Sequence, residues 1–214
     1  MTKKFLKALA GFLAYMGILA GGVFAWFDPT NPPGEGQVAL LTIGMMATFP
    51  FAMEIIGRWA FRFRGTGKAI PLADLKAKIL AINLKDIPVV VTERGNTLTL
   101  TWKHLDERWS GIMMKEGITQ SYSLLVRLNE KRRVATLIDV TRSIEWSVDS
   151  GSARLGFLAF RGVNFDFQVE KNWGIDELIR RQSGHFRSYK SGDIRNPVLN
   201  EILRSGWDAR LGIF

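Results

Sequence analysis

The sequence predicts an α+β protein: a two-helix transmembrane hairpin followed by a mostly antiparallel curved sheet or small barrel with flanking helices. Three observations lead there. Two long apolar runs precede Arg62 with a turn-rich segment between them, apolar and polar residues alternate repeatedly between Ile87 and Val169, and helical spacing returns on both sides of that region. The expected organisation is a hairpin over 1–61 with helices at about 5–27 and 38–58, a basic juxtamembrane linker over 62–70, and a cytoplasmic domain over 71–214.

The first run carries no charge from Ala8 to Phe27, which at about 1.5 Å per residue covers the roughly 30 Å hydrocarbon layer. The second, Val38 to Ile56, holds a single charge, Glu54, near one end. Between them, Asp28 to Gln37 is rich in Pro and Gly, acidic, and free of Lys and Arg, as suits a tight external loop. Lys3, Lys4 and Lys7 precede the first span and Arg58, Arg62, Arg64 and Lys68 follow the second, so the positive-inside bias puts both termini in the cytoplasm. Trp26 and Phe27 then mark the outer interface, and Trp59 and Phe61 the inner one. Val23-Phe-Ala25 resembles a signal-peptidase site, but the apolar stretch is too long for an ordinary signal peptide.

Within the spans, Gly17 with Gly21 and Ala10 with Ala14 form small-xxx-small pairs. These let another helix approach closely, either the hairpin's own second helix or one from a partner membrane protein. Pro50 removes a backbone donor and is expected to kink the second helix near Met46. Glu54 precedes Arg58 by one turn, the favourable order for a helical ion pair. Arg58, Trp59, Arg62, Arg64 and Lys68 are placed to contact anionic lipid headgroups.

In the domain, Pro71 opens a helix with Leu72, Leu75, Ile79 and Ile82 on one face. Ile87 to Glu93 and Thr97 to Lys103 flank an Arg-Gly-Asn turn and read as a β-hairpin. Leu105, Trp109, Ile112 and Met113 recur at helical spacing up to a stop at Gly117. A second hairpin follows, with Tyr122, Leu124, Val126 and Leu128 on one strand and Val134, Thr136, Ile138 and Val140 on the other. Alternation continues at Ile144, Trp146 and Val148, at Leu155, Phe157 and Ala159, and at Val163, Phe165, Phe167 and Val169, giving six or seven strands. Ile175 to Arg181 is a short helix; Asn196-Pro197 is expected to cap a last helix ending before Gly206, with Trp207 packed on its end.

Composition limits the chemistry. With no Cys, disulfides, thiolate metal sites and cysteine nucleophiles are excluded. The net charge of +9 does not point to nucleic acid: up to Lys68, seven cations face three acids, so +4 of the excess lies where topology explains it. The clusters Lys131-Arg-Arg133, Arg180-Arg181 and Arg187 to Lys190, with Phe186 and Tyr189, read as solvated or membrane-facing surface, and no nucleic-acid partner is expected. His104 and His185 lack metal-ligand spacing, and Gly65-Thr-Gly-Lys68 misses the phosphate-loop pattern at Arg62 and Ala69. Asp106-Glu107 and Asp176-Glu177 fall on helix faces. No catalytic residue, cofactor or metal is assigned.

Ile79 to Asn83 leading to Ile87-Pro88, the stretch Tyr122 to Asp139, and Arg204-Ser-Gly-Trp207 are similar to a group of uncharacterised bacterial membrane-anchored proteins with a small β-rich cytoplasmic domain. That resemblance implies a bacterial inner-membrane setting and no activity. The expected role is a non-enzymatic accessory or scaffold subunit whose partners are other integral membrane proteins and anionic lipid. A lipid-binding or membrane-surface-sensing domain comes second, and an enzyme of unknown reaction third.

Overall fold

The computed structural model describes residues 2–27, 30, 33–103, 106–115, 117–147, 152–162, 175–182 and 191–212. It divides into two units, Met1–Arg62 and Phe63–Phe214. The first is a pair of helices, α1 (Thr2–Trp26) and α2 (Glu35–Ala60), each a few residues longer than its apolar run requires. Gly34 stands at the N-cap of α2, where the Gln37 side chain accepts its N–H at 3.1 Å. Glu35 in the first turn and Arg58 in the last complement the helix dipole. The helix continues unbroken through Pro50.

Both helices are long and apolar enough to cross a membrane. Their large side chains face outward, with Ile18, Phe24, Leu40 and Met46 all more than 70 % exposed. A core helix of a water-soluble domain hides such residues; these have no cover from the chain.

The second unit is α+β, as expected, and its sheet is open rather than closed into a barrel. Its strands are β1 (Arg62–Phe63), β2 (Val89–Arg94), β3 (Thr97–Trp102), β4 (Gln120–Asn129), β5 (Val134–Ser147), β6 (Ser152–Gly162) and β7 (Asp208–Gly212). The order is β1-β7-β5-β4-β3-β2, with β6 also on β5. β5, 14 residues long, is the spine. One edge pairs with β4; on the other, Val134–Ile138 pairs with β7 and Asp139–Ser147 with β6. The β5·β7 pair is parallel, while the β2·β3, β3·β4, β4·β5 and β5·β6 pairs are antiparallel.

Direct cross-strand partners share a face, so Leu100, Leu124 and Asp139 lie in one row and Leu98, Val126 and Leu137 in the next. Helices α3 (Leu72–Leu80) and α6 (Ser191–Arg204) supply Leu75, Ile79, Ile194, Val198, Leu199 and Ile202 to the core. Two further α-helices, α4 (Glu107–Lys115) and α5 (Ile175–Gln182), lie among the described residues of this unit.

Four expectations change. The alternation Val134, Thr136, Ile138, Val140 lies on the face opposite Tyr122, Leu124, Val126 and Leu128; β5 is buried on both faces, so either register looks apolar in sequence. The stretch at Ile144 and Trp146 continues β5 past a register shift between Arg142 and Ile144 and is no separate strand. The last helix starts at Ser191, not at Asn196, and holds Pro197 in its interior. After it comes β7, a strand that the sequence reading did not include. Val148, Leu105 and the run Val163 to Val169 lie outside the described residues.

Within the second unit, residues 65–70 are fastened to the end of α6 and the start of β7. Gly65 N–H donates to Asp208 Oδ1 at 3.0 Å, Thr66 N–H to Leu203 O at 2.8 Å, and Ile70 N–H to Ser205 O at 3.0 Å. The Trp207 indole N–H returns a bond to Ile70 O at 2.8 Å. Two backbones therefore touch: a Cβ on Gly206 would lie 2.5 Å from Ala69 N, and one on Gly65 would lie 2.6 Å from Gly206 C. Gly206 also has φ +76°, and its N–H and that of Trp207 bond Leu203 O and Ile202 O, closing α6 in a Schellman motif. Gly117 ends α4 the same way, through Met114 O and Met113 O.

At the β2 edge, the Asn83 carboxamide donates to Val91 O at 2.7 Å and accepts Val91 N–H at 2.8 Å. One side chain thus stands in for a neighbouring strand and blunts an edge that would otherwise pair with another chain.

Gly206→Ala should cost about 1–2 kcal/mol for the left-handed backbone plus a further ~1–3 kcal/mol for overlap with residue 69. Gly67→Ala, at φ +80° but in open space, should cost the first amount only. Chemical unfolding of the detergent-solubilised chain measures both, and equal losses would contradict the close approach.

Candidate functional site

Two places gather the side chains that matter: the surface of the hairpin and a charged cluster inside the second unit. In the hairpin, α1 and α2 run antiparallel, and the seam is built at helical spacing from Lys4, Lys7, Gly11 and Tyr15. A Cβ on Gly11 would sit 3.1 Å from Ile56 Cγ2, so glycine lets the helices close there. The Tyr15 hydroxyl hydrogen-bonds the Thr48 hydroxyl at 3.0 Å, and its ring lies 6.4 Å from that of Phe49. An interhelical hydrogen bond in hydrocarbon is worth about 0.6–1.7 kcal/mol. At the end of the seam, Lys4 Nζ donates to Arg62 O at 2.8 Å and Lys7 Nζ stands 5.8 Å from the Trp59 ring centroid.

The small residues singled out in the sequence do not form this seam. Ala10, Ala14, Gly17 and Gly21 are all exposed, and a Cβ on Gly17 or Gly21 would meet nothing within 4 Å. Their spacing of four, three and four keeps them in one row along α1. Packing within the hairpin falls to Gly11 instead, which the small-residue pattern passed over.

Among the residues expected at a membrane surface, Arg58 pairs with Glu54 one turn back, as the spacing suggested, and Glu54 is buried. Trp59, Arg62, Arg64 and Lys68 are exposed. Gly65 to Lys68 does not cradle an anion; the Gly65 and Thr66 amides are spent on residues 203–208.

The second unit holds a cluster that sequence reading did not propose. Asp139 on β5 accepts the Tyr122 hydroxyl at 2.5 Å through Oδ1 and Arg195 Nη1 at 2.6 Å through Oδ2. Tyr122 extends the row of Leu124 and Val126 on β4, so it faces the core; Arg195 enters from α6. All three are almost fully buried, Arg195 completely. Burial first, and the Asp139 charge second, push the Tyr122 hydroxyl well above its ordinary pKa of 10.0, so it remains a donor. The only signal in the sequence was a carboxylate inside the apolar run Val134 to Val140.

A carboxylate, a guanidinium and a phenol could serve acid–base chemistry, but Asp139 binds both of the others and all three are sealed from solvent. The arrangement fastens α6 to the centre of the sheet. Among the described residues no group of three His, Asp or Glu could hold a metal. His104 and His185 lie outside the described residues, as do Arg187 to Lys190. Asp106 is exposed and caps α4, its Oδ1 accepting Trp109 N–H at 3.4 Å. Asp176 is exposed on α5, and Lys131 to Arg133 form the exposed β4–β5 turn.

Asp139→Ala removes one half of a buried ion pair and should cost about 3–5 kcal/mol. Tyr122→Phe should cost about 1.5–3 kcal/mol at neutral pH, the range for a bond to a charged acceptor. Because the folded pKa of Tyr122 exceeds the unfolded one, its contribution is complete below about pH 10 and is lost as the pH rises through the folded value. Unfolding titrations across alkaline pH should therefore show a shallower decline in Tyr122→Phe than in the parent chain; identical slopes would contradict the buried phenol.

No family model matches the chain, and comparison with curated proteins and with solved structures returns no match.

Proposed function

We propose that this chain is a non-enzymatic accessory or scaffold subunit of a larger assembly in a bacterial inner membrane, anchored by the hairpin and presenting its second unit at the cytoplasmic face. The carrying observation is the exposed row Ala10, Ala14, Gly17 and Gly21 on α1. Close helix packing in lipid depends on van der Waals contact at small residues, because burying apolar surface gains little where the solvent is itself apolar. The hairpin already has its own seam at Gly11 and Tyr15, so a second row of small residues suits a helix from another integral membrane protein.

The non-enzymatic reading draws support from the buried ionisable cluster, whose members bind one another. The cytoplasmic placement of both termini draws on the asymmetry between the cationic helix ends and the acidic loop.

Gly17→Leu/Gly21→Leu should release the chain from its complex without altering the unfolding of the second unit. After mild solubilisation of native membranes, blue-native electrophoresis should show the parent chain in a band larger than the free protein and the variant at the free position. A parent chain that migrates only as a monomer would contradict the proposal, and so would a variant that stays in the larger band.

A further inference from the structure

The pairing of α1 with α2 brings two lysines from the start of α1 against the end of α2, Lys4 at Arg62 O and Lys7 at Trp59. These lysines are not equivalent. Lys4 is committed to the hairpin: its ammonium holds Arg62 O, a carbonyl just beyond the negative end of the α2 dipole. Arg58 is committed to Glu54. Lys3 and Lys7 are exposed, and among the described residues neither has an acidic partner. Lys7 stands above the Trp59 ring, itself 57 % exposed, at a level where an indole seeks the headgroup boundary.

From this we infer that Lys3 and Lys7, one turn apart on α1, with Trp59 beside Lys7, form a binding site for the phosphate of an anionic phospholipid. The inference rests on the membrane-anchored reading of the hairpin, since only an inserted hairpin holds these side chains at headgroup depth. Several features favour a lipid phosphate. The site carries two ammonium groups near the N-terminal end of α1, where the helix dipole adds positive potential. Trp59 contributes an apolar ring and an N–H donor next to Lys7, and exposed acyl-facing side chains, Phe5, Leu6 and Leu9, continue directly from the lysines along α1. A zwitterionic headgroup carries its own cation into this field and is disfavoured; a phosphatidylglycerol headgroup does not.

The test uses the full chain in nanodiscs of phosphatidylcholine containing a minor fraction of phosphatidylglycerol, with the lipids retained on the ejected protein identified by native mass spectrometry. The parent chain should retain phosphatidylglycerol over phosphatidylcholine. Each of Lys3→Gln and Lys7→Gln should lower that preference about fivefold, and the double variant about twenty-five- to thirtyfold, from roughly one unit of surface attraction per lysine. Lys131→Gln, at the β4–β5 turn, should leave it unchanged. Equal retention of the two lipids by the parent chain, or an undiminished preference in the double variant, would overturn the site. Alkaline carbonate extraction of the same proteins separates the two levels of the argument. A chain that stays in the membrane without lipid preference loses only the site, whereas a chain that is stripped from the membrane loses the anchoring on which it depends.

Discussion

The rest of this molecule depends on two helices that carry more apolar surface than the chain can cover. Along α1 and α2 residues such as Gly11, Tyr15, Thr48 and Ile56 are drawn together in one seam, and side chains as large as Phe24 and Met46 remain open. Water would charge about 25 cal/mol for every Å² of such surface. Hydrocarbon removes that penalty, and it asks in return that backbone groups be bonded internally, which a continuous helix does. Polar contacts are correspondingly few along the seam. Tyr15 meets Thr48 across it, Thr42 and Thr48 turn their hydroxyls onto their own helix at Val38 O and Met45 O, and charges appear only near the ends.

In the second unit the organising element is β5, because it is paired along both edges and, from Val134 to Val140, buried on both faces. Its length lets two different strands share one edge, so the C-terminal β7 joins the sheet beside the start of β5 while β6 occupies the rest. The parallel β5·β7 pair needs a crossover, and the chain supplies it with the elements between β6 and β7, ending in α6. Among the contacts that hold that helix, two differ in chemistry. Arg195 fixes it to Asp139 in mid-sheet, and the Gly206 turn presses its end against residues 65–70. Replacing the ion pair by apolar residues could cost little, whereas breaking one half of it is expensive; such a pair fixes the position of the helix more than it adds stability.

How much of this could be read beforehand varies with the physics of each element. The apolar spans, the hairpins around Gly95 and residues 130–133, and the stops at Gly117 and Gly206 depend on local chemistry, and they appear in the structure near the expected positions. The Glu54–Arg58 pair was legible for the same reason, since one helical turn fixes it. What was not legible is non-local. The run Val134 to Val140 contains no polar alternation to tell which face is inward, because both are. β7 is five residues long and earns its strand only by lying beside β5. Asn196-Pro197 looked like a helix start, yet Ser191 and Asp193 begin the helix earlier and tertiary packing holds the proline inside it. Gly11 was overlooked because it has no small partner four residues away on the seam, and only the position of Ile56 gives it a role. The Asp139 cluster needed α6 to be placed over β5, across an interval of 56 residues.

The absence of native cysteine gives the most direct measurement of the central claim. Single cysteines at Thr30, between the helices, and at Asn96, in the β2–β3 turn, can be probed in spheroplasts with a membrane-impermeant maleimide. A hairpin that crosses the bilayer with its second unit inside predicts labelling of Thr30→Cys on intact spheroplasts and of Asn96→Cys only after permeabilisation. Labelling of both before permeabilisation, or of Asn96→Cys alone, would contradict it.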